Sequence, residues 1–83
     1  MILSNTNLLC TLPSGHKAVY SIQPQHMNLQ HWNANMNQVA LDYGTQIAHQ
    51  HGDRWYKAGG WDEITDLRTI ALLERCPDAE VAA

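Results

Sequence analysis

Two β-prone runs, Leu8-Leu9-Cys10-Thr11-Leu12 and Lys17-Ala18-Val19-Tyr20-Ser21-Ile22, stand on either side of Pro13-Ser14-Gly15-His16. Proline fixes φ and glycine permits a positive φ, so a short link of this kind between two apolar runs turns the chain back on itself as a β-hairpin. In the second run Val19, Ser21 and Gln23 alternate with Ala18, Tyr20 and Ile22. The face bearing Tyr20 and Ile22 is the one expected against the core.

Pro24 stops that strand, and Leu29, Trp32, Met36, Val39, Ala40, Tyr43 and Ile47 then recur at three- and four-residue steps. On a helical wheel these positions fall within about 100° of arc, a stripe suited to packing across a sheet. With Asn28 as N-cap and Gly52 just past the end, the spacing predicts one long amphipathic helix over 28–51, with Gly44 a weak point where it kinks or breaks. A smaller apolar strip, Ala34, Leu41 and Ala48, points elsewhere on that wheel. Either it packs beneath the C-terminal segment or it lies exposed among amides as a partner-binding patch.

Downstream, Arg54-Trp55-Tyr56-Lys57-Ala58-Gly59-Gly60-Trp61 reads as a loop or short strand with three aromatics. Next, Asp62 or a neighbour caps a second element, with Glu63 and Asp66 near its start, Arg75 near its end and Pro77 beyond. Ile64, Leu67 and Ala71 share one helical face, while Ile70-Ala71-Leu72-Leu73 suits a buried strand as well; helix is preferred. The tail from Asp78 adds a short strand near Val81 or frays. The architecture expected is therefore α+β in a single domain over 1–83: an N-terminal hairpin packed on a long amphipathic helix, with a second C-terminal helix or strand.

Charge is distributed unevenly. Taking histidine as neutral, Lys17 and Asp42 are the only formal charges up to Gly52, whereas four basic and seven acidic residues follow. Asn28, Gln30, Asn33, Asn35, Asn37, Gln38, Gln46 and Gln50 solubilise the central segment instead, giving a surface that hydrogen-bonds while generating little field. Five scattered basic residues do not supply the cluster that displaces phosphate counterions, so direct nucleic-acid binding is not expected, and the acid is too sparse to mimic DNA. Without such a basic cluster, the aromatics of 54–61 are read as anchoring the loop on the core or as anchors for a protein partner. No basic region followed by a long apolar run opens the sequence, and two cysteines are too few for a disulfide framework, so a cytoplasmic protein without a membrane segment is expected.

Five histidines raise the question of a metal. On the expected helix, His49 and His51 point to different sides, and His31 and His49, though on one face with Asp42, stand too far apart for one ion. The histidines are thus read as structural or surface residues, with no metal, cofactor or catalytic residue assigned. No phosphate loop or nucleophile elbow is present either.

The run Thr11-Leu12-Pro13-Ser14-Gly15-His16-Lys17-Ala18-Val19-Tyr20 resembles the opening hairpin of small phage tail-assembly chaperones, where an L-P-S/D-G turn precedes a helical region. It covers about an eighth of the chain. In size and kind the whole chain is also similar to compact phage-encoded inhibitors of host enzymes, anti-CRISPR proteins among them. These resemblances imply a small body acting as a plug or adaptor, in the host cytoplasm if phage-encoded; no residue roles transfer. The function expected is a stoichiometric protein-binding domain, an inhibitor or adaptor rather than an enzyme. Its interface candidates are Ala34, Asn37, Leu41, Ala48, Arg54, Trp55, Tyr56 and Trp61. The rival expectations are a metal- or thiol-dependent activity using histidine with Cys10 or Cys76, and a phage-particle subunit whose partner is a second copy of itself.

Overall fold

The computed structural model describes residues 6–23 and 36–79. Strands β1 (Thr6–Thr11) and β2 (Lys17–Ile22) form the expected hairpin, with Leu8 opposite Tyr20 and Cys10 opposite Ala18. The Leu12–His16 turn is closed by Gly15 N–H on the Leu12 carbonyl (2.8 Å) and Leu12 N–H on the His16 carbonyl (2.9 Å).

Beyond the hairpin, the expected architecture is overturned. Helix α1 covers Met36–Tyr43, and the segment after Gly44 is not helical but forms β3 (Thr45–His51), followed by β4 (Arg54–Lys57) and β5 (Glu63–Ile64). The framework is a five-stranded antiparallel sheet in the order β1-β2-β3-β4-β5, with no long amphipathic helix among the described residues. The proposed cap at Asn28 and the positions Leu29, Trp32 and Ala34 lie outside the described residues.

The physical causes are local. Gly44 N–H donates the last helical bond to the Ala40 carbonyl at 2.8 Å, and a Cβ on Gly44 would stand 2.4 Å from that oxygen and 3.0 Å from Tyr20 Cβ. The chain thus leaves the helix against β2, where only glycine fits. Thr45 and Ile47 then favour extended backbone through their branched Cβ atoms. Gly52, taken from the sequence as a helix terminus, is the first residue of the two-residue turn joining His51 to Arg54. It has φ +66° and no positive φ follows at Asp53, which suits a type II′ hairpin.

A core lies on each face of the sheet. On one face Leu8, Cys10 and Ile22 pack with Met36, Val39 and Ala40 of α1, and with Ala79. On the other, Val19, Ala48, Trp55 and Ile64 pack with Leu73 of the second helix, α2 (Leu67–Glu74), flanked by Leu9, Ile70 and Cys76. Tyr20 and Ile22 do face a core as expected, but Val19 on the opposite face is also fully buried because α2 covers it.

The C-terminal element is the preferred helix, with different details. Asp66 is its N-cap, accepting from Thr69 N–H and Oγ1–H. Ile64 belongs to β5, Leu67 and Ala71 are exposed, and Ile70 and Leu73 face inward. After α2 the chain runs beside β1: Leu9 N–H donates to the Pro77 carbonyl and Ala79 N–H to the Leu9 carbonyl, both at 2.9 Å, a parallel bridge centred on Asp78. Val81 lies outside the described residues. No helix among those residues is long and apolar enough to cross a membrane.

Candidate functional site

Strand geometry places residues i and i+2 on one face, so β3 turns His49 and His51 to the same side, contrary to the helical expectation. The register sets Tyr56 of β4 directly opposite His49. The stretch Ala58–Asp62, closed by Lys57 N–H on the Asp62 carbonyl (2.9 Å), brings Gly60 and Trp61 over the same face. From the other side, pairing of Lys17 with Gln50 draws the β1–β2 turn and its His16 alongside.

Five rings meet there. His16 stacks on His51 with centroids 4.3 Å apart and planes 25° apart, and His49 stands 4.8 Å from His51 at 85°. Trp61 lies 5.0 Å from His49, 4.7 Å from His51 and 5.3 Å from Tyr56. A cleft of about 470 Å³ opens between His16, Gln46, His49, His51 and the Gly59–Trp61 stretch.

Hydrogen bonding orders this cluster. The Gly60 carbonyl can only accept, so His49 Nε2, 2.8 Å away, carries the hydrogen and its Nδ1 presents a lone pair. His51 Nε2–H donates to that Nδ1, also at 2.8 Å. His16 Nδ1 is held by Ser14 Oγ. His51 is kept below the usual imidazole pKa, first by desolvation among the rings and then by the charges His16 and His49 would carry. Among the described residues no three His, Cys, Asp or Glu side chains are already placed to hold one ion.

The interface candidates separate into distinct environments. Ala48 and Trp55, 1 % and 2 % exposed, are core residues beneath α2 and present nothing to a partner. Asn37 is engaged within the molecule: its Oδ1 accepts from Thr11 N–H (3.2 Å) and its Nδ2–H donates to the Thr11 carbonyl (3.3 Å), tying α1 to the end of β1. Leu41 is half-buried on α1, and Ala34 lies outside the described residues. The exposed guanidinium of Arg54 donates to Glu63 at 3.3 Å. Tyr56 and Trp61 are brought together, and only these two join the ring cluster.

Three residues of the cluster, His16, His49 and His51, were not among the candidates. The signal available was His49-Gln50-His51 ahead of a Gly-Asp turn and an aromatic strand, a hairpin pattern once the helix is set aside.

No protein-family model, curated protein or solved structure matches this chain.

The cysteines are poor candidates for thiol chemistry. Cys10 is 1 % exposed, and desolvation pushes its thiol up to about 11, so little thiolate forms at neutral pH. Cys76 is raised as well, by the same cause.

Proposed function

We propose that this chain is a small stoichiometric protein-binding domain, an inhibitor or adaptor that works by occupying a site on a larger protein, with the ring cluster as the centre of its contact surface. The observation that carries this reading is Trp61. It is 68 % exposed, yet ring contacts to His49, His51 and Tyr56 hold it in place. A large aromatic side chain that is oriented but uncovered loses little rotamer freedom on binding and gains extensive apolar contact, which is how interface anchors act. The neighbouring imidazoles and Gln46 add hydrogen-bonding groups without a strong field, favouring a polar-rimmed protein contact over nucleic acid. A phage origin for such a domain rests on the turn motif at Thr11 to Tyr20 alone.

Affinity capture from the native host with wild-type, Trp61→Ala and Leu67→Ala baits tests the reading. Leu67 is 80 % exposed on α2, away from the cluster, and serves as the control. Capture of one partner in stoichiometric amount by wild type and the Leu67 variant, with loss in the Trp61 variant, is expected. A partner retained equally by all three, or no partner at all, argues against it.

A further inference from the structure

We propose that His49 and His51 form the core of a binding site for a divalent transition-metal ion, with His16 as a third imidazole ligand. This inference rests on the histidines and holds whether or not Trp61 anchors a protein.

His49 Nδ1 and His51 Nε2 lie 2.8 Å apart, bridged by a single hydrogen. In that bond the two nitrogens face each other, so an ion bonded to both at about 2.0–2.1 Å requires the rings to turn until their lone pairs converge on one point. The order of affinities on nitrogen ligands favours Cu(II) over Zn(II). Among the described residues no carboxylate lines the cleft, which disfavours Mg(II) and Ca(II).

The supporting bonds are those a ligating imidazole needs. His49 is oriented by its Nε2–H on the Gly60 carbonyl, leaving Nδ1 as the donor atom, and His16 is held at Nδ1 by Ser14, leaving Nε2. On binding, His51 moves its hydrogen from Nε2 to Nδ1, and the ion takes the place of the N–H···N bridge. No proton need be lost when the rings are neutral. His16, stacked on His51, likewise joins by turning its half-buried ring out of the stack. Arg54 stands opposite His51 in the register, and its guanidinium is paired with Glu63.

The test is calorimetric titration of the full, untagged chain at pH 7.5 with Cu(II), Zn(II) and Mg(II), accompanied by electron paramagnetic resonance of the copper form. One Cu(II) per chain with nitrogen hyperfine structure, weaker Zn(II) binding and no Mg(II) binding are expected. His51→Ala should weaken Cu(II) binding by about tenfold or more. Because His49 is buried, His51→Ala, checked for an unchanged melting curve, is the deciding variant if His49→Ala fails to fold. Absence of saturable Cu(II) binding overturns the proposal. So does equal affinity in wild type and a folded His51→Ala chain, or loss of binding only when His26 and His31 are replaced.

Discussion

Trp55 and Trp61 both come from one aromatic stretch, and a reading by residue type treats them alike. Trp55 points into the core with Val19, Ala48, Ile64 and Leu73, while Trp61 stands 68 % exposed above the histidines. Trp55→Ala is expected to cost about 3–5 kcal/mol through lost burial and an unfilled cavity, whereas Trp61→Ala should change stability by less than about 1 kcal/mol. Urea unfolding of both variants checks this, and equal losses would contradict the assignment. Gly44 makes the same point for backbone space. Gly44→Ala drives a methyl onto the Ala40 carbonyl at 2.4 Å and toward Tyr20, so a loss of about 1–3 kcal/mol is expected, opposite in sign to the gain alanine gives in an unstrained helix.

At the scale of elements, the stripe from Met36 to Tyr43 was legible because a helix repeats its buried face every three or four residues, and Met36, Val39 and Ala40 are buried as that pattern requires. The strand from Thr45 was not. Val19 pairs with Ala48 but Tyr20 with Gln46, so Ile47 is an extra, bulged residue that breaks the two-residue alternation by which a strand announces itself. Ile47 also falls on the three- and four-residue helical spacing, so the pattern extends past the real helix end. α2 shows a readable element whose buried face was misjudged, because its start depends on which acid caps it. Asp66 does, and the hydroxyl and N–H of Thr69 stabilise its carboxylate and hold its pKa below the usual value. The folded value lies below the unfolded one, so this contribution is fully present above the ordinary carboxyl range. It is lost as the pH falls through the lowered value. Melting temperatures of wild type and Asp66→Asn should therefore differ near neutrality and converge in strong acid; a gap that stays constant with pH would contradict it.

Across the whole molecule, the last described residues complete the first strand. Pro77 and Ala79 satisfy the N–H and carbonyl of Leu9, and Ala79, 3 % exposed, packs among Leu8, Cys10, Ile22 and Met36. Ala79→Asp places an unpaired carboxylate in that core and should destabilise the domain by more than about 2 kcal/mol, with faster amide exchange at Leu9. A folded variant of unchanged stability would show that this segment does not close the core. The amino-acid sequence alone determined the first hairpin and a helical stretch at Met36–Tyr43, though not where that helix ends, and it favoured a helix before Pro77, because turn residues, periodicity and stop signals act over a few neighbouring positions. Only the tertiary structure decided which faces are covered and that His16, His49 and His51 meet. Those outcomes depend on strand register and on segments distant in the chain, and a single bulged residue shifts them without leaving a local trace.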